Sequence, residues 1–153
     1  MTAVAPAARP AHRRHLGGQR AWIVFGGRAD HLWQRLLRRG FRHCFAALED
    51  PHGWTVLDPL TGRLLVARLE VPAGFDLPGF YRRAGLLPVG PFPLEEPVLG
   101  RGLRGAPFSC VAVCRAVLGP HAPFAMTPHG LFHALVQSHE SRKKYLTSFS
   151  VPT

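Results

Sequence analysis

The chain has 153 residues, 46% of them hydrophobic, and a formal net charge of +10, enough for one domain with a buried core and too short for two comfortable ones. No apolar run approaches the roughly 18 residues of a membrane-spanning helix, no apolar leader core precedes Gly17 and Gly18, and three cysteines cannot all pair, which argues against a disulfide framework. The charge suits polyanions, nucleic acid among them, but the cations are scattered as Arg13 and Arg14, Arg38 and Arg39, or Arg82 and Arg83 rather than gathered in one groove.

Residues 1–20, rich in Ala, Pro, Arg and Gly and free of acids, are predicted to form a flexible basic arm. A single α+β domain is expected over 21–137, with a C-terminal tail over 138–153. Residues 21–25 form an apolar run ended by Gly26 and Gly27, the pattern of a buried strand. Asp30 then suits the cap of a helix with Leu32, Trp33, Leu36 and Leu37 on one side, and Gly40 its stop. Three strand-like runs follow at 41–48, 54–57 and 63–71, spaced as an antiparallel meander. Asp58 and Pro59 end the second run. Residues 76–84 read as a short helix, 86–89 as an edge strand, and 90–106 as a long loop of Gly, Pro and Arg. Within that loop, Gly100 to Gly105 lacks the strand–helix setting of a phosphate loop and reads as a lid or a solvated segment.

The stretch from Pro107 to Pro120 is punctuated as one helix. Ser109 caps its start, and Gly119 with Pro120 ends it. Cys110, Cys114, Val117 and Leu118 share a face. Thr127 and Pro128 then open a further helix with Leu131, Phe132, Leu135 and Val136 on its apolar side. Trp22, Trp33 and Trp54 lie in apolar patterns and read as core.

Cys110 stands in the first turn of its helix, where unpaired backbone N–H groups favour a thiolate. It also lies in the acid-free segment 97–139, and both features predict a lowered thiol pKa. A thiol nucleophile needs a base, and the base needs an orienting group. Alternation places His43 with Phe45 and Ala47 on one strand face, opposite Cys44. Trp54, Val56 and Asp58 share a face of the next strand, so a hairpin brings Asp58 near His43. The parts are those of a Cys110–His43–Asp58 triad, with the backbone N–H of Cys110 as oxyanion donor.

Arg42, His43, Cys44, Phe45 and Ala46, then the run from Trp54 to Asp58, then Phe108, Ser109, Cys110 and Val111 resemble the permuted members of the NlpC/P60 papain-like superfamily, in which the histidine precedes the cysteine. The resemblance implies a papain-like fold and thiol hydrolysis or transfer at amide or ester bonds, in cell-wall peptides or lipids, with no cofactor. The chain is also similar to small proteins encoded near tail genes of bacterial phages, partly through Thr127, Pro128, His129, Gly130, Leu131 and Phe132. That implies other virion proteins as partners; with no leader or spanning segment read in the sequence, a location in the virion or the cytoplasm is expected.

Other readings of the same residues stand beside this one. By itself Cys110 has the look of a small buried hydrophobe, His43 of a bonded strand residue, and Asp58 before Pro59 of a turn opener. The domain would then be a structural or docking component. Cys110 and Cys114 followed by His129 and His133 also match the ligand spacing of a two-Cys, two-His zinc site, which would point to nucleic acid.

Overall fold

The computed structural model describes residues 15–27, 37–72, 74–95 and 108–148. Apolar runs between turn formers make five strands: β1 (His15–Gly26), β2 (His43–Asp50), β3 (Gly53–Leu60), β4 (Arg63–Leu69) and β5 (Leu87–Glu95). They pair antiparallel in one sheet of order β4-β3-β2-β1-β5. Three helices join them among the described residues: α1 (Leu77–Arg83), α2 (Cys110–Leu118) and α3 (Pro128–Ser148). The fold is α+β. No helix among the described residues is long and apolar enough to cross a membrane.

The expected meander is β2, β3 and β4. Asp50 pairs with Gly53 across the first turn, and the Asp50 carboxylate accepts the His52 N–H at 2.7 Å. Leu60 pairs with Arg63 across the second, where Gly62 has φ 66°, a conformation that a side chain would strain. The register sets Ala47 opposite Val56 and Ala46 opposite Leu57. Alternate residues therefore face opposite layers.

One layer holds Ile23, Phe25, Cys44 and Ala46 against Val111 and Cys114 of α2 and Leu131 and Leu135 of α3. The other holds Val24, Ala47 and Trp54 against Leu77 of α1, with Trp22 and Phe45 packed around them. The Trp54 indole N–H donates to the Phe75 carbonyl at 2.8 Å and ties the approach to α1 onto the sheet.

Several elements differ from their sequence-based bounds. β1 begins at His15, within the stretch read as arm, because its backbone pairs with β5 as well as β2: Arg20 stands opposite both Glu49 and Pro93. β5 runs to Glu95 despite Pro88, Pro91 and Pro93, since an edge strand tolerates residues that cannot donate to a ladder. α3 continues to Ser148, through residues read as tail. Gln137, Glu140, Lys143 and Lys144 are good helix formers by propensity. The helix expected after Asp30, including Trp33, falls mainly on residues 28–36, outside the described residues. So does most of the loop expected over 90–106.

Candidate active site

Ser109 has extended backbone (φ −143°, ψ 158°) and its hydroxyl accepts the Ala112 N–H at 3.1 Å. This cap fixes Cys110 as the first residue of α2. Its own N–H is among the first-turn donors that have no carbonyl partner within a helix. The Cys110 side chain is half-buried against the layer that contains Cys44.

His43 opens β2 and is 8% exposed. Its Nε2–H donates to Asp58 Oδ1 at 2.6 Å. Asp58 lies inside β3, opposite Leu65 of β4, rather than just past the strand. The hairpin register still sets it diagonally from His43, on the face of Phe45. The imidazole faces the Phe45 ring, with centroids 6.4 Å apart and planes 27° apart. With Nε2 committed to Asp58, Nδ1 is the nitrogen left for the Cys110 thiol, with which His43 also interacts. Of the three residues picked from the sequence, His43 and Asp58 are hydrogen-bonded, and Cys110 lies near enough to act on the imidazole.

The charge state differs from the expectation. The His43 pKa is pulled down by burial, but its hydrogen bonds with Asp58 and Cys110, with the charge of the Asp58 carboxylate, outweigh this and leave it at about 9. The Cys110 thiol is pushed up, first by the Cys44 thiol and then by burial, with His43 working against both. The helix start and the acid-free surroundings do not win, because a second thiol and a dry setting act at shorter range. At neutral pH the resting site is therefore a thiol beside an imidazolium, not a thiolate.

Cys44 is the neighbour that sequence reasoning passed over. It is fully buried and its pKa is raised: Cys110 works to lower it, but Cys114 and burial prevail. The backbone N–H of Cys44 also interacts with the Cys110 thiol, which favours the thiolate. Two signals were present, the side of β2 opposite His43 and the Cys110 and Cys114 spacing on one helix face. Joining them requires knowing on which sheet face α2 lies.

The zinc arrangement is not assembled. Cys110 and Cys114 turn toward Cys44, whereas His129 and His133, with Nε2 atoms 3.0 Å apart, stand by Arg38 and Phe41. Among the described residues, no group of three or more His, Cys, Asp or Glu is placed to hold a metal ion. An apolar groove lined by Phe92, Leu118, His121 and Leu135 lies at the far end of α2 from Cys110. Comparison with protein-family models, with curated proteins and with solved structures finds no match.

Proposed function

We propose that the protein is a thiol hydrolase or transferase acting on an amide bond, with a papain-like arrangement of Cys110, His43 and Asp58. The observation that carries this reading is the imidazole of His43, held by Asp58 at 2.6 Å and near enough to favour the thiolate of Cys110 at a capped helix start. Cys110 Sγ attacks the carbonyl carbon as its proton passes to His43, and the oxyanion meets the Cys110 backbone N–H. His43 then protonates the leaving amine as the C–N bond breaks. Water attacks the thioester, giving its proton to His43 and releasing the acid and the free thiol. Cell-wall peptides are the proposed substrate class, with a place in a phage virion as the setting.

Two protons rest on the His43 and Cys110 pair at neutral pH, and one must leave before attack. Alkylation of Cys110, read by mass spectrometry at each cysteine, is expected to accelerate as pH rises through about 9. His43→Ala should shift that rise to higher pH, since His43 favours the thiolate. Cys110→Ala should stay folded and abolish cleavage of peptidoglycan stem peptides. A Cys110 that stays inert from pH 6 to pH 10 until the protein unfolds would sink the proposal.

The raised Cys110 thiol also favours a second reading, a non-catalytic structural or docking protein with the same fold. Leu64, Leu65 and Val66 on the outer strand β4 are exposed and suit contact with other virion proteins. On that reading Cys110→Ala leaves assembly unchanged.

A further inference from the structure

The triad uses one of three thiols that the fold gathers in one place. Cys44 and Cys114 are fully buried in the same apolar cluster, and Cys110 packs at its edge, partly exposed. All three are free. Cys44 sits between the other two: its thiol interacts with Cys110 on one side and with Cys114 on the other. A small oxidant can reach Cys110 but not Cys44, whereas Cys44 reaches the Cys110 sulfur without any exposure. Partly exposed and buried thiols in contact are the parts of a sensing and a resolving cysteine.

We infer that Cys110 is an oxidation site resolved by Cys44, with a small hydroperoxide as the oxidant. Once a proton has left the His43 and Cys110 pair at alkaline pH, the Cys110 thiolate attacks the peroxide oxygen, an S–O bond forms, the O–O bond breaks, and the leaving hydroxide or alkoxide takes a proton. Sulfur loses two electrons and the peroxide gains them. Cys44 Sγ then attacks the Cys110 sulfur and gives up its proton. The S–O bond breaks, water leaves, and a Cys44–Cys110 disulfide remains. A dithiol returns both thiols by exchange. The disulfide switches off the nucleophile reversibly and keeps it from the sulfinic acid, which is not recovered. This rests on the reading of Cys110 as the reactive thiol.

The test treats the reduced full-length protein with hydrogen peroxide and maps its cysteines by mass spectrometry without reduction. The tryptic fragment 105–115 holds both Cys110 and Cys114, so a parallel Cys114→Ala sample assigns the link. A Cys44–Cys110 link in both proteins, with Cys110 alkylation lost and then restored by dithiothreitol, is expected. In Cys44→Ala the same dose should carry Cys110 on to sulfinic acid, with labelling no longer restored. Cys44→Ser, which keeps the size of the side chain, guards against a packing effect. Dimedone-trapped Cys110 sulfenic acid in equal amounts in wild type and Cys44→Ala, with no link, overturns the inference. Peptide cleavage by reduced protein that never forms the link overturns this inference alone. A link in a protein without cleavage overturns the proposed activity alone.

Discussion

The Asp58 and His43 pair makes a signed prediction about stability. The folded-state pKa of His43 is about 9 against 6.5 for the unresisted imidazole. A group whose pKa is raised on folding contributes stability that is complete below the unfolded value and is lost as pH rises through the folded value. The full contribution is about 3 kcal/mol. Because the His43 side chain is 10% exposed and that of Asp58 26%, the loss between pH 6 and pH 8.5 should be about 2 kcal/mol. The thiols of Cys44 and Cys110, both raised, act in the same sense at still higher pH, so the comparison stays below pH 9. Asp58→Asn removes the carboxylate, the partner whose hydrogen bond raises the His43 pKa most, while Cys110 still raises it against burial. The variant should therefore be less stable at pH 6 and show a shallower slope. Urea unfolding under reducing conditions at pH 6, 7 and 8.5 measures this. The His43 ring resonance by NMR gives the midpoint directly. Equal slopes in wild type and Asp58→Asn, or a His43 midpoint near 6.5, would refute the reasoning.

The packing around the site sets further expectations. Ser109→Ala removes the side-chain acceptor of the Ala112 N–H and should cost about 1 kcal/mol in urea unfolding. Leu131 is fully buried between α3, α2 and the sheet, and Leu131→Ala should cost about 3 kcal/mol with little change in the midpoint of Cys110 alkylation. Trp54→Phe keeps an aromatic ring but removes the N–H donated to the Phe75 carbonyl, which retains only the Leu77 N–H at 2.9 Å. It should cost about 1–2 kcal/mol and raise amide exchange in α1 before the rest of the fold.

The meander was legible because its turns are local. Gly62, and Gly53 after Asp50, stand where two-residue connections need them. Alternation then places His43 and Asp58 on one face whatever the remainder of the chain does. Ser109 and Gly119 likewise mark α2 by their own chemistry. The extra length of β1 was not legible, because residues 15–20 owe their strand state to partners in β2 and β5, far along the chain. The zinc spacing misled for a related reason: distance along the chain says nothing about which way a helix turns its face.

The proposed triad depends on a feature that alternation alone does not supply. His43 belongs by parity to the α1 layer, stacked on Phe45, whereas Cys110 packs with the α2 and α3 layer. A residue further along β2 would have the whole sheet between it and the thiol. His43 is the first residue of the strand, and only at that margin can one ring bond Asp58 on its own side and meet Cys110 from the other. The same margin explains Cys44: as the next residue in the strand it must point into the α2 layer, and there it meets the thiol that His43 reaches from the end. Adjacent residues of one strand thus supply an imidazole that favours the Cys110 thiolate and a thiol that opposes it. The pair sets both the alkaline onset expected for Cys110 and the path of oxidation proposed for it.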